Sequence, residues 1–235
     1  QLSAAMSGTT ATVVLHSHSD DILTIAHVAD STCVLGSYVD KVKQSLVGVA
    51  LTRDHKPNLK EERMRIEAAG GMVVFDGYLN HRVYVKNGRY PGLNMSRCLG
   101  DLLGHAHAGC SCIPEVTDRQ VTPLDHVLLV CTDGVWEFMT PQEAVDTVSM
   151  YPPDQAMKAA DVLAKKAWDA WIVEEGGVVV DDITAVVVYL QEATKKAQEG
   201  KVALEQTFDT AEVQTLDANG MPSFCEGLPK PTEAS

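Results

Sequence analysis

The fold class predicted for this chain is α+β, and three observations predict it. Most apolar residues fall in short runs of about four to seven, rich in Val, Ile, Leu and Cys and bounded by Gly or charge, the pattern of buried strands. A few longer stretches instead space their apolar residues for one face of a helix. The two kinds of segment do not alternate, which argues against a parallel β-α-β chain.

Taken in order, residues 11–15, 22–28 and 33–35 are β-branched runs separated by polar breaks and predict adjacent antiparallel strands, with residues 47–52 as a fourth. A helix is predicted over 58–70. Asn58 can cap it, Glu61 stands three positions on as in a capping box, and Gly70 and Gly71 end it. Residues 72–75 and 82–85 return to strand, with Gly77 and Asn80 marking the turn between them. The run HVLLVC (126–131) is a further strand. Pro141 opens a helix after Thr140, a favourable first-turn proline. Another helix spans 154–171, with Ala159, Val162, Leu163, Ala167 and Trp171 on one face. Beyond Leu190 aromatics thin out, Lys and Glu increase and the end is Pro-rich; a short exposed helix over 191–205 and then a flexible tail are expected.

Composition narrows the function. At 235 residues and 45% hydrophobic, the chain can bury one sizeable core. A net charge of -13 opposes binding to a phosphate backbone, so no nucleic-acid partner is expected. The apolar runs are far too short to span a bilayer as a helix, so no transmembrane segment is expected. No leader-like pattern opens the chain, and this leaves a targeted or lipidated N-terminus open. The six cysteines are scattered rather than arranged as a disulfide framework, which favours an intracellular setting, cytoplasmic or nuclear.

Two acidic steps on apolar runs point to chemistry. HVLLVCTDGVWEFM carries Asp133 just after one strand, and VVVDDITAVVVYL carries Asp181 and Asp182 just before another. If the two strands are antiparallel neighbours, Asp133 and Asp181 share one edge of the sheet. Carboxylates held that close repel unless a cation lies between them, which suggests a divalent metal on oxygen ligands. Taken alone, Asp-Gly after a strand is ordinary turn chemistry.

The wider series of segments shifts that balance. In order they are SGTTATV (7–13), HVADS (27–31), LTRDHKP (51–57), EERMRIEAAGG (61–71), NMSRCLGD (94–101), PEV (114–116), CTDGVWEFM (131–139) and VDDITAVVV (180–188). In this order and spacing they resemble the metal-dependent Ser/Thr protein phosphatases of type 2C, over roughly residues 7–190. The resemblance implies two antiparallel sheets packed as a sandwich with helices outside, a phosphatase-like domain over 1–190 and an extension over 191–235.

It also implies a monomeric enzyme that hydrolyses phosphoserine or phosphothreonine in phosphoprotein substrates, using a water activated by a pair of Mg²⁺ or Mn²⁺ ions. Asp133 and Asp181 match the family's metal-binding Asp residues. Asp30 and Glu137 match a further metal position, although Glu137 is one methylene longer than the usual Asp and Ala29 and Thr32 replace the common Gly and Arg. Asp182, Arg97 and Asp101 are expected to support the ligands from behind, Arg97 by pairing with a buried carboxylate. Arg53, Asp54 and His55 are expected to fix a loop.

The departure from the family is upstream. Relatives carry a Glu-Asp pair and an Asp-Gly-His-Gly-Gly segment before the Ser-Gly-Ser/Thr-Thr-Ala motif, together with a phosphate-binding Arg and an acid His, and none of these occurs here. The N-terminal part of the domain is therefore expected to be absent, leaving apolar sheet edges open. The alternative reading is an inactive relative that binds or scaffolds partners. HAHAGCSC offers His105, His107, Cys110 and Cys112, the right atoms for zinc but with one-residue gaps in place of the usual knuckles, so it is read as a flexible loop.

Overall fold

The computed structural model describes residues 3–40 and 45–190; the predicted extension over 191–235 lies outside the described residues. The strands are β1 (Gly8–Thr9), β2 (Ala11–Ser17), β3 (Ile22–Val28), β4 (Thr32–Tyr38), β5 (Leu46–Ala50), β6 (Gly71–Phe75), β7 (His81–Val85), β8 (Pro91–Leu93), β9 (Leu99–Gly100), β10 (Glu115–Gln120), β11 (Asp125–Cys131) and β12 (Ala185–Tyr189). The helices are α1 (Lys60–Ala68), α2 (Leu102–Ala108), α3 (Asp133–Trp136), α4 (Pro141–Ser149) and α5 (Ala156–Glu174).

Two antiparallel sheets form the sandwich, one in the order β10-β3-β2 and the other β12-β11-β4-β5. The pleat explains how β4 and β11 serve two cores at once, because successive side chains point to opposite faces. Cys33, Leu35 and Leu128 face the first sheet and meet Leu23 and Ile25 of β3. Val34, Val127 and Leu129 face the other way, against Ala144, Val145 and Val148 of α4 and Ala159, Leu163 and Ala167 of α5. Each fully buried Leu contributes about 1.5–3 kcal/mol.

A third sheet, β6-β7-β8, packs with α1 and α2 around Ile66, Val83 and Cys98. The ladder β1-β9 is a separate two-stranded pair.

Helix ends follow local chemistry, with one correction. Thr140 caps α4 in a full capping box with Glu143, and Pro141 fills the first turn. Asn58 does not cap α1. The chain turns one residue later, Leu59 occupies the cap without a side-chain bond, and Glu61 is held by Arg53 at 2.5 Å.

At one side of the sandwich, β2 and β12 have no outer strand partner among the described residues. An apolar groove of about 280 Å³ opens between them, lined by Val14, Leu23, Leu128, Val130, Val186 and Val188.

A candidate metal centre at one end of the second sheet

Strand register brings the acidic steps together. β11 lies between β4 and β12 and is antiparallel to both, with Cys131 opposite Thr32 on one side and Ala185 on the other. Three chain segments therefore meet at one end of the sheet: residues 29–31 entering β4, residues 132–133 leaving β11, and residues 181–184 entering β12.

Hydrogen bonds lace these segments. The Thr132 hydroxyl donates to the Asp182 carbonyl at 3.2 Å and accepts the Thr184 amide at 3.0 Å. The Thr132 amide donates to the Thr184 carbonyl at 3.1 Å. Asp182 approaches so closely that a Cβ on Gly134 would lie 2.3 Å from its carbonyl oxygen, so only glycine fits after Asp133. The indole of Trp136 donates to the Cys131 carbonyl at 2.9 Å, and that of Trp171 on α5 donates to the Gly134 carbonyl at 2.8 Å. These bonds fix Asp133 at the start of α3. On the other side, the Thr12 hydroxyl donates to the Ser31 carbonyl at 2.6 Å, tying the SGTTATV segment to the turn that carries Asp30.

The electrostatics are those of an under-neutralised acidic cluster. Burial, together with the charges of Asp30 and Asp181, pushes the Asp133 carboxyl up to about 6, against the pull of Lys56. Asp54 is also raised, by burial first, although it accepts the Thr32 hydroxyl at 2.7 Å. Asp30 is 2% exposed; its Oδ2 pairs with the Lys56 ammonium, while its Oδ1 is buried with no hydrogen-bond partner among the described residues. Asp181 is exposed, and its Oδ1 accepts the Asp182 amide at 2.8 Å. Glu137 is exposed one turn after Asp133, on the same face of the chain, and its amide bonds to the Asp133 carbonyl at 2.9 Å. An all-oxygen donor set, an orphaned buried carboxylate oxygen and a raised carboxyl suit a hard divalent cation.

The remaining predicted residues lie elsewhere. Arg97 does pair with a buried carboxylate: its guanidinium donates to Glu62 on α1 at 2.6 Å from Nη2 and 3.1 Å from Nε. Arg65 donates to the same carboxylate at 2.7 Å, and the Ser96 hydroxyl bonds to it as well. Asp101 stands against Gly8 at the β1-β9 ladder, with its amide on the Ser7 carbonyl, and among the described residues no bond joins it to the acidic cluster. His55 does fix a loop. Its amide donates to the Ala29 carbonyl at 3.0 Å, and its Nδ1 accepts the Ala29 amide at 3.1 Å. That double anchor holds Ala29 at φ 81°, a left-handed conformation that costs an L-residue about 1–2 kcal/mol.

His27, His55 and Glu115 also gather into a ligand-like group, with the two rings stacked at 4.5 Å. The hydrogen bonds speak against a metal there. Because Nδ1 of His55 accepts an amide proton, its neutral ring carries hydrogen on Nε2, the atom facing Glu115 at 3.6 Å. Burial first, then the charges of Arg97 and His27, lower this imidazole to about 4, so the contact joins a neutral ring to a carboxylate.

The first half of HAHAGCSC is helix rather than the flexible loop expected, while residues 109–112 lie outside helix and strand. Leu102–Ala108 form α2, which packs on β6, β7 and β8. His105 turns back to the Cys98 carbonyl at 3.1 Å, His107 is exposed and Cys110 is buried. Leu and Ala favour helix strongly, and Gly109 ends it at φ 74°.

Two residues at the heart of these networks escaped the sequence reading. Lys56 lies inside LTRDHKP, where the cation beside an acid was the available signal. Glu62 has an apolar-facing slot in α1 but nothing local to mark it.

Comparison with known proteins agrees with this architecture. The family model described as Protein phosphatase 2C matches residues 1–173. Among curated relatives, "Probable protein phosphatase 2C 34" of Arabidopsis thaliana is 38% identical over 190 residues, 80% of this chain and 51% of that protein. "Probable protein phosphatase 2C 48" of Oryza sativa subsp. japonica is 39% identical over 80% of this chain and 53% of its own length. The chain thus spans about half the length of the curated relatives it matches. Among solved structures, a serine-threonine phosphatase 2C from Toxoplasma gondii superposes with a TM-score of 0.60 at 25% identity, over 72% of this chain and 54% of that one. A C. elegans sex determining protein superposes with a TM-score of 0.64 at 25% identity, over 80% of this chain and 42% of that one. Sandwich, motif order and family match agree, and the chain belongs to the protein phosphatase 2C family.

Proposed function

We propose that the protein hydrolyses phosphoserine and phosphothreonine in phosphoprotein substrates at a binuclear Mg²⁺ or Mn²⁺ centre to which Asp133 and Asp181 contribute. Asp30 and Glu137 are the candidates for a further ion on the same side. The observation that carries this reading is geometric: strand register brings the segments bearing Asp30, Asp133 and Asp181 to one sheet end, where a buried Asp30 oxygen has no hydrogen-bond partner among the described residues, and the crowding of acids there raises the Asp133 carboxyl. Such ions, when bound, supply a nucleophile at neutral pH and offset the charge of the phosphoryl group.

The chain's own residues do the positioning. Thr132 clamps the strand end to residues 182–184, Gly134 lets that backbone approach, and the Trp136 and Trp171 indoles hold the turn from beneath. With a net charge of -13, the protein attracts a phosphate only where bound cations reverse the local field.

The intact protein should release phosphate from phosphoserine and phosphothreonine peptides with Mg²⁺ or Mn²⁺ and stop when a chelator is added. Peptide binding without turnover, unchanged by the metal, would favour the scaffold reading.

A further inference from the structure

Among the described residues, Lys56 is the ammonium whose charge bears on Asp30, Asp54 and Asp133 together. Its Nζ pairs with Asp30 Oδ2, and that carboxylate is almost wholly buried, with its other oxygen left without a partner. A carboxylate so enclosed among other acids is stable only with positive charge beside it.

The root of Lys56 is held in place. His55 is bonded twice to Ala29, the residue before Asp30, and the Ser96 amide holds the His55 carbonyl at 2.7 Å. The Lys56 amide bonds to the Asp54 carbonyl at 3.0 Å. Its side chain is less enclosed than that of Asp30, 31% exposed against 1%, so the ammonium can swing to water about its own four-carbon stem while the backbone stays put.

We propose that Lys56 is a resident counter-ion that competes with a divalent cation for the Asp30 carboxylate and thereby sets the affinity of the Asp30 side of the centre. This rests on the metal-centre reading above and adds to it a residue that regulates occupancy. Two effects of the ammonium act with the same sign. A divalent ion must displace the ammonium to reach Asp30, and the ammonium already offsets part of the negative field that attracts the ion. At a few ångströms each charge matters strongly, because interactions inside the protein are several times those in water.

The test is Mn²⁺ titration calorimetry on the intact protein as wild type, Lys56→Met and Lys56→Met/Asp30→Asn, with the fold checked by circular dichroism. Methionine keeps the stem and removes the charge. The expected result is that Lys56→Met binds Mn²⁺ at least about tenfold more tightly at one site, and that the double variant loses this gain. A folded Lys56→Met protein with unchanged or weaker Mn²⁺ binding would overturn the proposal while leaving the metal centre standing. Absence of Mn²⁺ binding in wild type and variant alike would overturn the metal centre and the proposal with it.

A second measurement needs no variant. Acylation footprinting of the wild type by mass spectrometry should show Lys56 labelled several-fold faster in saturating Mg²⁺, because the ammonium has been released to solvent. Equal labelling with Mg²⁺ and with chelator would count against displacement.

Discussion

Glu62 is a fully buried carboxylate and Asp133 a partly buried one, and their surroundings treat them in opposite ways. Burial acts to raise Glu62, yet Arg97, Ser96 and Arg65 overcome it and pull the acid down to about 2. Burial raises Asp133 too, but Asp30 and Asp181 add to the rise and carry it to about 6. At Glu62 two guanidinium groups surround one carboxylate. At the sheet end Asp30, Asp54 and Asp133 share the Lys56 ammonium, and the charge of Asp181 bears on Asp133 as well. A carboxylate neutralised by the protein is a brace, here tying α1 to the segment before β9. One left short of positive charge is poised for a cation from outside.

The strongest way to break this contrast is Asp133→Asn. In the intact protein it should lower phosphopeptide turnover about a hundredfold or more, since several kcal/mol of charge stabilisation depend on the ligand set. Near-normal turnover with Mg²⁺ would remove Asp133 from the centre. Glu62→Gln should act on stability instead. Leaving Arg97 and Arg65 without their counter-charge should cost about 3–5 kcal/mol, read as a lower urea midpoint, while Mn²⁺ affinity of the folded protein stays the same. A change confined to metal affinity would erase the distinction between the two sites.

The pH dependences should have opposite slopes. Glu62 has a folded value of about 2 against an ordinary 4.5, so its stabilisation is present above 4.5 and lost as pH falls toward 2. Asp133 has a folded value of about 6 against 3.8, so its favourable contribution is full below 3.8 and lost as pH rises through 6. In chelator, Asp133→Asn should therefore be more stable than wild type at pH 7.5, by about 1–2 kcal/mol, and about equal to it near pH 3.8. Urea midpoints at the two pH values check both signs; a variant less stable at pH 7.5 would contradict the electrostatic account. The smallest effect is expected at the exposed His107, where His107→Gln should change stability by no more than about 0.5 kcal/mol and leave turnover intact. Loss of turnover there would reopen a chemical role for the His/Cys segment.

Much of the sandwich was legible because its signals are local. The runs at 11–15, 22–28 and 126–131 became β2, β3 and β11, and Thr140-Pro141 opened α4 as expected. The antiparallel pairing that joins Asp133 to Asp181 was also readable, from two buried runs with acids at matching ends. Where local signals are weak, the fold departs from the local pattern. Small residues disguised α2 as a loop, and the cap of α1 moved from Asn58 to Leu59 because helix boundaries are shallow in energy.

The sequence by itself determined the fold class and the order of the family's motifs, and it pointed to Asp133 and Asp181 as a pair with Asp30 and Glu137 as a further position, because pleat periodicity and motif spacing are written along the chain. Only the tertiary structure decided which carboxylate is neutralised and which is not. Glu62 meets Arg97 across 35 residues and Asp30 meets Lys56 across 26. A charge's partners, and hence its proton affinity, follow from distances in the folded state that no local pattern encodes.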